Sequence, residues 1–563
     1  MKPFPLIAIL LLAACATAPE ERQSFDTIIR GGTIYDGSGG APYVGDVGLR
    51  GDRIVYVGRA SPGRAATEID AHGLAVAPGF VNMLSWANET LIADPKGQSD
   101  IRQGVTLEVM GEGESMGPWS DEMKRLELQR QGDIKFPIEW TTLGQYLGHM
   151  ERRGVSPNIA SFVGASTVRV HELGEGDVDP TPAQLVQMRA LVREAMNEGA
   201  MGLGSSLIYA PAFFAETPEL TALATEAANC GGMYISHIRD EGPKLLEAID
   251  ELIAISEGSG APAEIYHFKQ SGKRNWGKIG DAIARVEAAR ARGLRITADM
   301  YTYAASSTGL DAAMPLWIQA DGIEAWVARL KEPATRARAL AEMRAGTVSE
   351  NGDLVVRDPA KVLLLGFKNP ALKPLTGKTL KEVAESRGKS PEETAADLIA
   401  EDNSRIQVAY FSMSEDNVKR EAVLPWMSFG SDASSQAPEG VFLKSSTHPR
   451  AYGNFARVLG KYARDEQAMT LQEAVRRLAG LPAANLGLRD RGTLKAGNFA
   501  DLAIFDPKTI RDNATFARPQ QFATGMRHVF VNGVQVLRDG EHTGATPGRF
   551  VKGSGAGKCP PAG

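Results

Sequence analysis

Eight short apolar segments alternate with helical stretches through the middle of this 563-residue chain. They are rich in β-branched residues and lie at 80–84, 105–110, 159–163, 201–205, 233–237, 263–267, 295–301 and 427–432. The stretches between them include residues 181–199, where apolar residues recur every three or four positions and a glycine marks the end of the helix. Repeated alternation of strand and helix predicts a parallel sheet, and about eight units predict an α/β fold with a TIM (β/α)8 barrel.

The two ends of the chain differ from the middle. Residues 27–78 and 486–551 contain short apolar runs separated by Gly and Asp, as in "GDVGLRGDRIVYVG" and "MRHVFVNGVQVLRDGE". They predict a small β-sandwich domain built from both chain ends around a barrel at 79–485. Within the barrel, residues 315–405 predict a helical insertion, and the strand-like run "IQVAYFSM" at 406–413 has no place in the strand count.

The first 15 residues, "MKPFPLIAILLLAAC", carry one Lys, an apolar run and small residues that end at Cys15. The run is short for a membrane span and predicts a secretion signal. "LAAC" resembles the lipobox of bacterial lipoproteins, in which Cys15 would become the lipidated first residue; a signal peptide cleaved nearby is the alternative. Residues 16–26 predict a polar tether and 552–563 a flexible tail. We expect a periplasmic protein that touches a membrane only through a lipid anchor at Cys15.

Composition and missing motifs exclude several classes of function. The net charge of -6 and the lack of a basic run argue against nucleic-acid binding. No CxxC motif is present, which excludes a cysteine-based zinc site, and Cys230 and Cys559 offer one possible pair rather than a disulfide framework. The chain also lacks a GxSxG motif, a P-loop and a strand-to-helix GxGxxG, so serine hydrolase, kinase and dehydrogenase activities are not supported.

Two histidines stand at the ends of neighbouring predicted strands. His237 ends "MYISH", and His267 ends "AEIYH" one βα unit later. The carboxyl ends of barrel strands converge on one face, so the two imidazoles could bind one metal ion. The alternative is a pair of unrelated histidines at strand ends.

Three carboxylates are further candidates. Asp432, in "MSFGSDASS", closes the last predicted strand, where it is either a general base for metal-activated water or a cap for the next helix. Glu112 and Glu114, in "VMGEGESMGP", follow the second strand and could supply a carboxylate ligand to zinc. The alternative for these two residues is a pair of loop carboxylates that face water.

From about residue 27 to 551 the chain resembles the D-aminoacylase (N-acyl-D-amino-acid deacylase) family of the amidohydrolase superfamily. Among the motifs that carry the resemblance, in the family's order, are "GAMGLGSSLIYAP", "SHIRDEG", "HFKQSGKRNWGK", "DMYTYAASST" and "HPRAYGNFARVLG". The resemblance implies a TIM barrel with a β-sandwich from both chain ends, and zinc-dependent hydrolysis of the amide bond of N-acyl-D-amino acids. It also implies that His237 and His267 are the zinc ligands and that Asp432 is the catalytic acid. The residues that bind the substrate carboxylate would be Lys269, Tyr301 or Tyr303, and Arg450.

The sequence departs from that family at the metal site. The family's HxH pair on the first strand is Leu84 and Trp86 here, so we expect an apolar wall and no second metal position. The family's metal-ligating Cys corresponds to Gly113, which has no side chain to offer. We expect Glu112 or Glu114 to replace it.

The site would then hold one zinc per chain with an open position for water, and Asp432 would act as general acid/base for the leaving amine. The expected substrate is an N-acyl (D-)amino acid or a related acylated amine, and we expect it to be a small molecule with a carboxylate. The alternative is a non-catalytic or substrate-shifted relative that lost the HxH site and binds a ligand. Metal content separates the two, since about one zinc per chain favours the enzyme and none favours the binder.

Overall fold

A computed structural model describes residues 24–61, 63–346 and 348–560. The predicted signal peptide with its lipidated Cys15, residues 16–23 of the predicted tether and residues 561–563 lie outside the described residues. None of the described helices is long and apolar enough to cross a membrane.

The strands fall into an N-terminal, a middle and a C-terminal group. The N-terminal group is β1 (Ser24–Ile34), β2 (Tyr43–Arg50), β3 (Arg53–Gly58), β4 (Arg64–Asp70) and β5 (Ala75–Pro78). The middle group is β6 (Phe80–Asn82), β7 (Val105–Met110), β8 (Asn158–Ser161), β9 (Val163–Gly164), β10 (Gly202–Ser206), β11 (Met233–His237), β12 (Ala263–Ile265), β13 (Ile296–Met300), β14 (Ser306–Gly309), β15 (Val362–Gly366), β16 (Gln407–Tyr410) and β17 (Met427–Phe429). The C-terminal group is β18 (Leu502–Phe505), β19 (Met526–Val531), β20 (Val534–Arg538) and β21 (Glu541–His542).

The α-helices lie between β6 and β18. They are α1 (Thr90–Ala93), α2 (Gln98–Ile101), α3 (Asp121–Arg130), α4 (Leu143–Arg153), α5 (Ala165–Leu173), α6 (Pro182–Glu198), α7 (Thr217–Asn229), α8 (Leu245–Ser259), α9 (Ile279–Ala291), α10 (Gly322–Lys331), α11 (Pro333–Ala345), α12 (Glu350–Arg357), α13 (Leu380–Arg387), α14 (Pro391–Asp402), α15 (Glu415–Ala422), α16 (Arg450–Arg457), α17 (Leu471–Val475) and α18 (Leu481–Asn485). The sequence signals for α6 are typical: the side chains of Thr181 and Gln184 bond reciprocally to the backbone at its start, and it ends at Gly199, as predicted.

The barrel strands pair in parallel and return to their starting point. The order is β6-β7-β8 in one run and β9-β10-β11-β12-β13-β17 in the other. Phe162 alone separates β8 from β9, and its N–H donates to the carbonyl of Met110. A parallel bridge between Ser85 and Ala433 joins the extension of β17 to that of β6. The ring therefore closes within the described residues, and the predicted TIM barrel is confirmed.

Both chain ends join in one small β domain, as predicted. Its 9-stranded sheet has the order β21-β20-β19-β18-β5-β1-β2-β3, with β4 paired to β1. The antiparallel pair of β5 and β18 connects the two ends of the chain, and Ile29, Val47, Leu502 and Ile504 share one core. The first strand begins at Ser24, so the last residues of the predicted tether belong to this sheet.

The insertion differs from the helical segment predicted at 315–405. It contains helices α10 to α14, but also an antiparallel sheet with the order β14-β16-β15, so it starts near residue 306. The run at 406–413, which had no place in the strand count, supplies the central strand of this sheet. Leu310, Leu364 and Val408 belong to a hydrophobic core distinct from that of the barrel.

Residues 552–560, predicted as flexible tail, lie against the barrel instead. The N–H of Gly553 donates to the carbonyl of Gly199, just before β10 begins. Cys559 forms a disulfide with Cys230, which follows α7 and precedes β11. The segment therefore crosses the face where the barrel strands begin, opposite to the face that carries His237.

Candidate metal centre and substrate cavity

Two imidazole rings meet edge to face at the carboxyl ends of β11 and β12. His237 is the last residue of β11, as predicted. His267 lies two residues beyond Ile265, the end of β12, and not on the strand as predicted. Its φ of 35° is supported by a hydrogen bond of 2.9 Å from its N–H to Asp299 Oδ1. The ring centroids lie 4.3 Å apart with the planes at 80°.

A carboxylate completes a cluster of possible metal ligands. Glu112 Oε1 lies 2.9 Å from His267 Nε2. His237 Nδ1 lies 3.0 Å from the carbonyl oxygen of Ile238, and an N–H there leaves Nε2 free to bind a metal. Ligand atoms of these three buried side chains lie within 4.8 Å of one another, and no other group of His, Cys, Asp or Glu among the described residues does so. Two imidazoles and one carboxylate fit a divalent cation such as zinc.

Trp86 holds the carboxylate of this cluster. Its indole Nε1–H donates to Glu112 Oε2 over 2.9 Å. The expected apolar wall is present, because Leu84 is fully buried and Trp86 packs against the same apolar cluster, but the indole N–H adds a polar contact that the sequence did not predict. A side chain does not fit at Gly113, because a Cβ there would lie 2.6 Å from the Cβ of Ser206. The carboxylate of the cluster comes from the residue before it.

Glu114 has a different position. It lines the same cavity, but its carboxylate is exposed to that cavity and is not part of the ligand cluster. Of the two glutamates proposed as metal ligands, the structure brings only Glu112 to the histidines.

Glu241 is a buried acid beside the histidines that sequence reasoning did not identify. Its Oε1 lies 2.5 Å from Lys269 Nζ and 3.1 Å from His267 Nδ1. Burial alone would raise the pKa of Glu241, but the Lys269 ammonium and the two imidazoles outweigh it and hold the pKa below the ordinary value. The one sequence feature that could have identified Glu241 as a site residue is its position four residues after His237, in "SHIRDEG".

The two histidines differ in their affinity for a proton. Burial lowers the pKa of His237 to about 4. Burial and Lys269 oppose protonation of His267, but the carboxylates of Glu241 and Glu112 prevail and raise its pKa to about 10. His237 is therefore ready to bind a cation at neutral pH, whereas His267 must give up a proton to do so.

The predicted catalytic acid and the predicted carboxylate-binding arginine form an ion pair. Asp432 lies three residues beyond β17, with φ of 48°, and its Oδ2 is 2.8 Å from Arg450 Nη1. The two side chains are 11% and 3% exposed. The Arg450 guanidinium also lies over the ring of Tyr301, 4.4 Å from its centroid.

The two candidate tyrosines take different positions. Tyr301 lines the cavity together with Lys269 and Arg450. Tyr303 lies outside the lining, because its hydroxyl donates to Asp512 Oδ2 over 3.2 Å and its ring lies against Arg457. Of this pair, Tyr301 is the one placed to meet a ligand.

One cavity of about 870 Å³ contains these groups. That volume is typical of small-molecule sites. Its wall includes residues of the barrel mouth and of the insertion, among them Trp86, Glu112, His237, His267, Lys269, Tyr301, Asp432, Arg450, Lys368 and Arg405.

Comparison with known proteins agrees with this geometry. The sequence pattern of the amidohydrolase family matches residues 67–537. The D-aminoacylase of Alcaligenes xylosoxydans xylosoxydans is 32% identical over 534 residues, covering 94% of this chain and 98% of that protein. A solved D-aminoacylase structure, described for its binuclear metal centre with one-metal activation and second-metal attenuation, has a TM-score of 0.78 at 31% identity, covering 94% of this chain and 100% of that chain. The N-acyl-D-glutamate deacylase of Bordetella bronchiseptica, solved with zinc and a phosphonate inhibitor, has a TM-score of 0.78 at 27% identity with the same coverage.

Proposed function

The chain belongs to the amidohydrolase family, as an enzyme of the D-aminoacylase type, and we propose that it hydrolyses the amide bond of N-acyl-D-amino acids with one zinc ion. Enzymes of this type act on carbon–nitrogen bonds other than peptide bonds. The observation that carries the proposal is the convergence of Glu112, His237 and His267 at the mouth of the barrel. These residues would hold the cation. When bound, it supplies a Lewis acid that polarises the acyl carbonyl and lowers the pKa of water.

Asp432 is the group that moves the proton in this proposal. Its carboxylate lines the cavity that also contains the ligand cluster, as a general base requires. It accepts a proton from the attacking water and donates it to the nitrogen of the scissile amide, so that the amine leaves neutral. Arg450 Nη1 lies 2.8 Å from Asp432 Oδ2, and this ion pair holds the carboxylate in position at the cavity wall.

The substrate carboxylate is bound by cationic side chains of the same wall. Both Arg450 and Lys269 line the cavity; Arg450 has a buried Nε–H without a hydrogen-bond partner among the described residues, whereas Lys269 is already paired with Glu241. A guanidinium and an ammonium both favour a carboxylate, and the guanidinium can bind both of its oxygens. Names of relatives support such a ligand, since they describe deacylases of N-acyl-D-glutamate and N-acyl-D-aspartate.

A substrate panel tests this proposal. Protein purified without chelator is assayed for amine release from N-acyl-D-amino acids, their L enantiomers and the matching N-acyl amines that lack the carboxylate. We expect about one zinc per chain, turnover of the D series, loss of turnover with chelator and recovery on added zinc. A protein without zinc or turnover would instead be a non-catalytic relative that binds a ligand.

We further propose that the protein lies in the bacterial periplasm, anchored by lipid at Cys15. The disulfide between Cys230 and Cys559 supports an oxidising compartment. Cys15→Ser should move the protein from the membrane fraction to the soluble fraction of a bacterial host. Wild-type protein that is already soluble after cell breakage would contradict the anchor.

A further inference from the structure

We propose that Trp86 is a positioning residue of the metal centre and limits that centre to one cation. The inference rests on one part of the proposed function, namely that Glu112, His237 and His267 bind zinc. It adds a role for a residue that offers no ligand atom of its own.

The geometry of Glu112 carries the inference. One carboxylate oxygen, Oε1, lies 2.9 Å from His267 Nε2, and the other, Oε2, accepts the indole N–H of Trp86 over 2.9 Å. Each oxygen of the buried carboxylate therefore has its own partner, and the two partners are different residues. A hydrogen bond to the second oxygen fixes the orientation of the first, so the carboxylate is already aimed at the histidines before a cation arrives.

The same contact opposes a second cation beside the first. A bridging carboxylate would need Oε2, which already accepts the indole N–H with one of its two lone pairs, and an indole can donate a hydrogen bond but has no lone pair for a metal. Leu84 is fully buried in an apolar cluster, and Gly113 has no room for a side chain. Asp432, whose N–H donates to the carbonyl of Leu84, is paired with Arg450, and Glu241 is paired with Lys269. Among the described residues, one group of three His or carboxylate side chains thus lies close enough together to hold a cation.

Two tryptophan variants provide a matched test. Trp86→Phe removes the N–H and keeps an aromatic ring against the apolar cluster that includes Leu84. Trp119→Phe is the control, because Trp119 lines the same cavity but its indole N–H donates to the carbonyl of Ser115 over 3.0 Å. Zinc affinity is measured by competition with a chromogenic chelator, stoichiometry by elemental analysis, and ligand geometry by the visible absorption of the cobalt(II)-loaded protein. Thermal unfolding of each variant confirms that it is folded.

We expect Trp86→Phe to bind zinc about 10- to 100-fold more weakly than wild type and to alter the cobalt spectrum, and Trp119→Phe to do neither. Wild-type protein should bind no more than one zinc even with a tenfold excess, a measurement that needs no variant. A second tightly bound zinc, or equal affinity in Trp86→Phe and wild type, overturns the inference and leaves the proposed function standing. Wild-type protein that binds no zinc overturns both.

Discussion

Replacing Glu241 with Gln removes one negative charge from the metal centre and leaves the shape of the side chain almost unchanged. The carboxylate lies 2.5 Å from Lys269 Nζ, and the two side chains are only 9% and 4% exposed. The variant leaves a buried ammonium without its counter-charge, and breaking a buried pair in this way costs about 3–5 kcal/mol. We therefore expect the free energy of unfolding to fall by about that amount. Urea unfolding of the metal-free protein measures it, since bound metal would add its own stabilisation.

The matched control is Glu257→Gln, which breaks an exposed pair. Glu257 lies 2.7 Å from Arg292, and these side chains are 49% and 53% exposed. Water and salt screen such a pair, so its loss should cost less than about 1 kcal/mol. If the two variants unfold at the same urea concentration, Glu241 is not the buried counter-ion of Lys269 and the reasoning fails.

The remaining predictions concern the metal, the cavity and the disulfide. His237→Ala and His267→Ala should each lose both zinc and amide hydrolysis, whereas Asp432→Asn should lose hydrolysis and keep zinc. Elemental analysis measures the zinc and an amine-release assay measures the hydrolysis; an alanine variant that retained its zinc would contradict this prediction. Burial and neighbouring carboxylates raise the pKa of Glu89 from 4.5 to about 7, so its charged form costs stability as the pH rises between those values. Glu89→Gln should therefore unfold at a higher temperature than wild type at pH 8 and at the same temperature at pH 4, and a constant difference across this range would exclude that cause. Cys559→Ser should expose residues 552–560 to faster proteolytic trimming, and unchanged trimming by mass spectrometry would show that the disulfide does not hold the segment.

The barrel and two of the three candidate metal ligands could be predicted because both follow from local patterns. Strands buried on both faces appear as continuous apolar runs, and their carboxyl ends share one face of the barrel. These two rules predicted that His237 and His267, which are thirty residues apart in the sequence, lie close together in the fold. They also identified Glu112 as a candidate ligand, but the choice between Glu112 and Glu114 required the path of the loop, which depends on the close approach of Gly113 to Ser206.

The features that sequence reasoning missed depend on pairings between distant residues. Glu241 is paired with Lys269, which lies 28 residues further along the chain, and no local period links them. Strand alternation gave the face on which Trp86 lies but not the bond that its indole edge makes to Glu112. The sheet of the insertion pairs Ser306 with Tyr410 through four-residue strands, which are too short to separate from turns by pattern alone.

The bond between Cys230 and Cys559 joins positions 329 residues apart and so makes one covalent ring of more than half the polypeptide. His237, His267, Asp432 and the entire insertion lie inside that ring. A protease that cuts once within it, even in an exposed turn of the insertion, opens the ring without separating any part of the cavity wall. Nicked protein should therefore run as a single species on a denaturing gel and fall into two fragments only when a reductant is added.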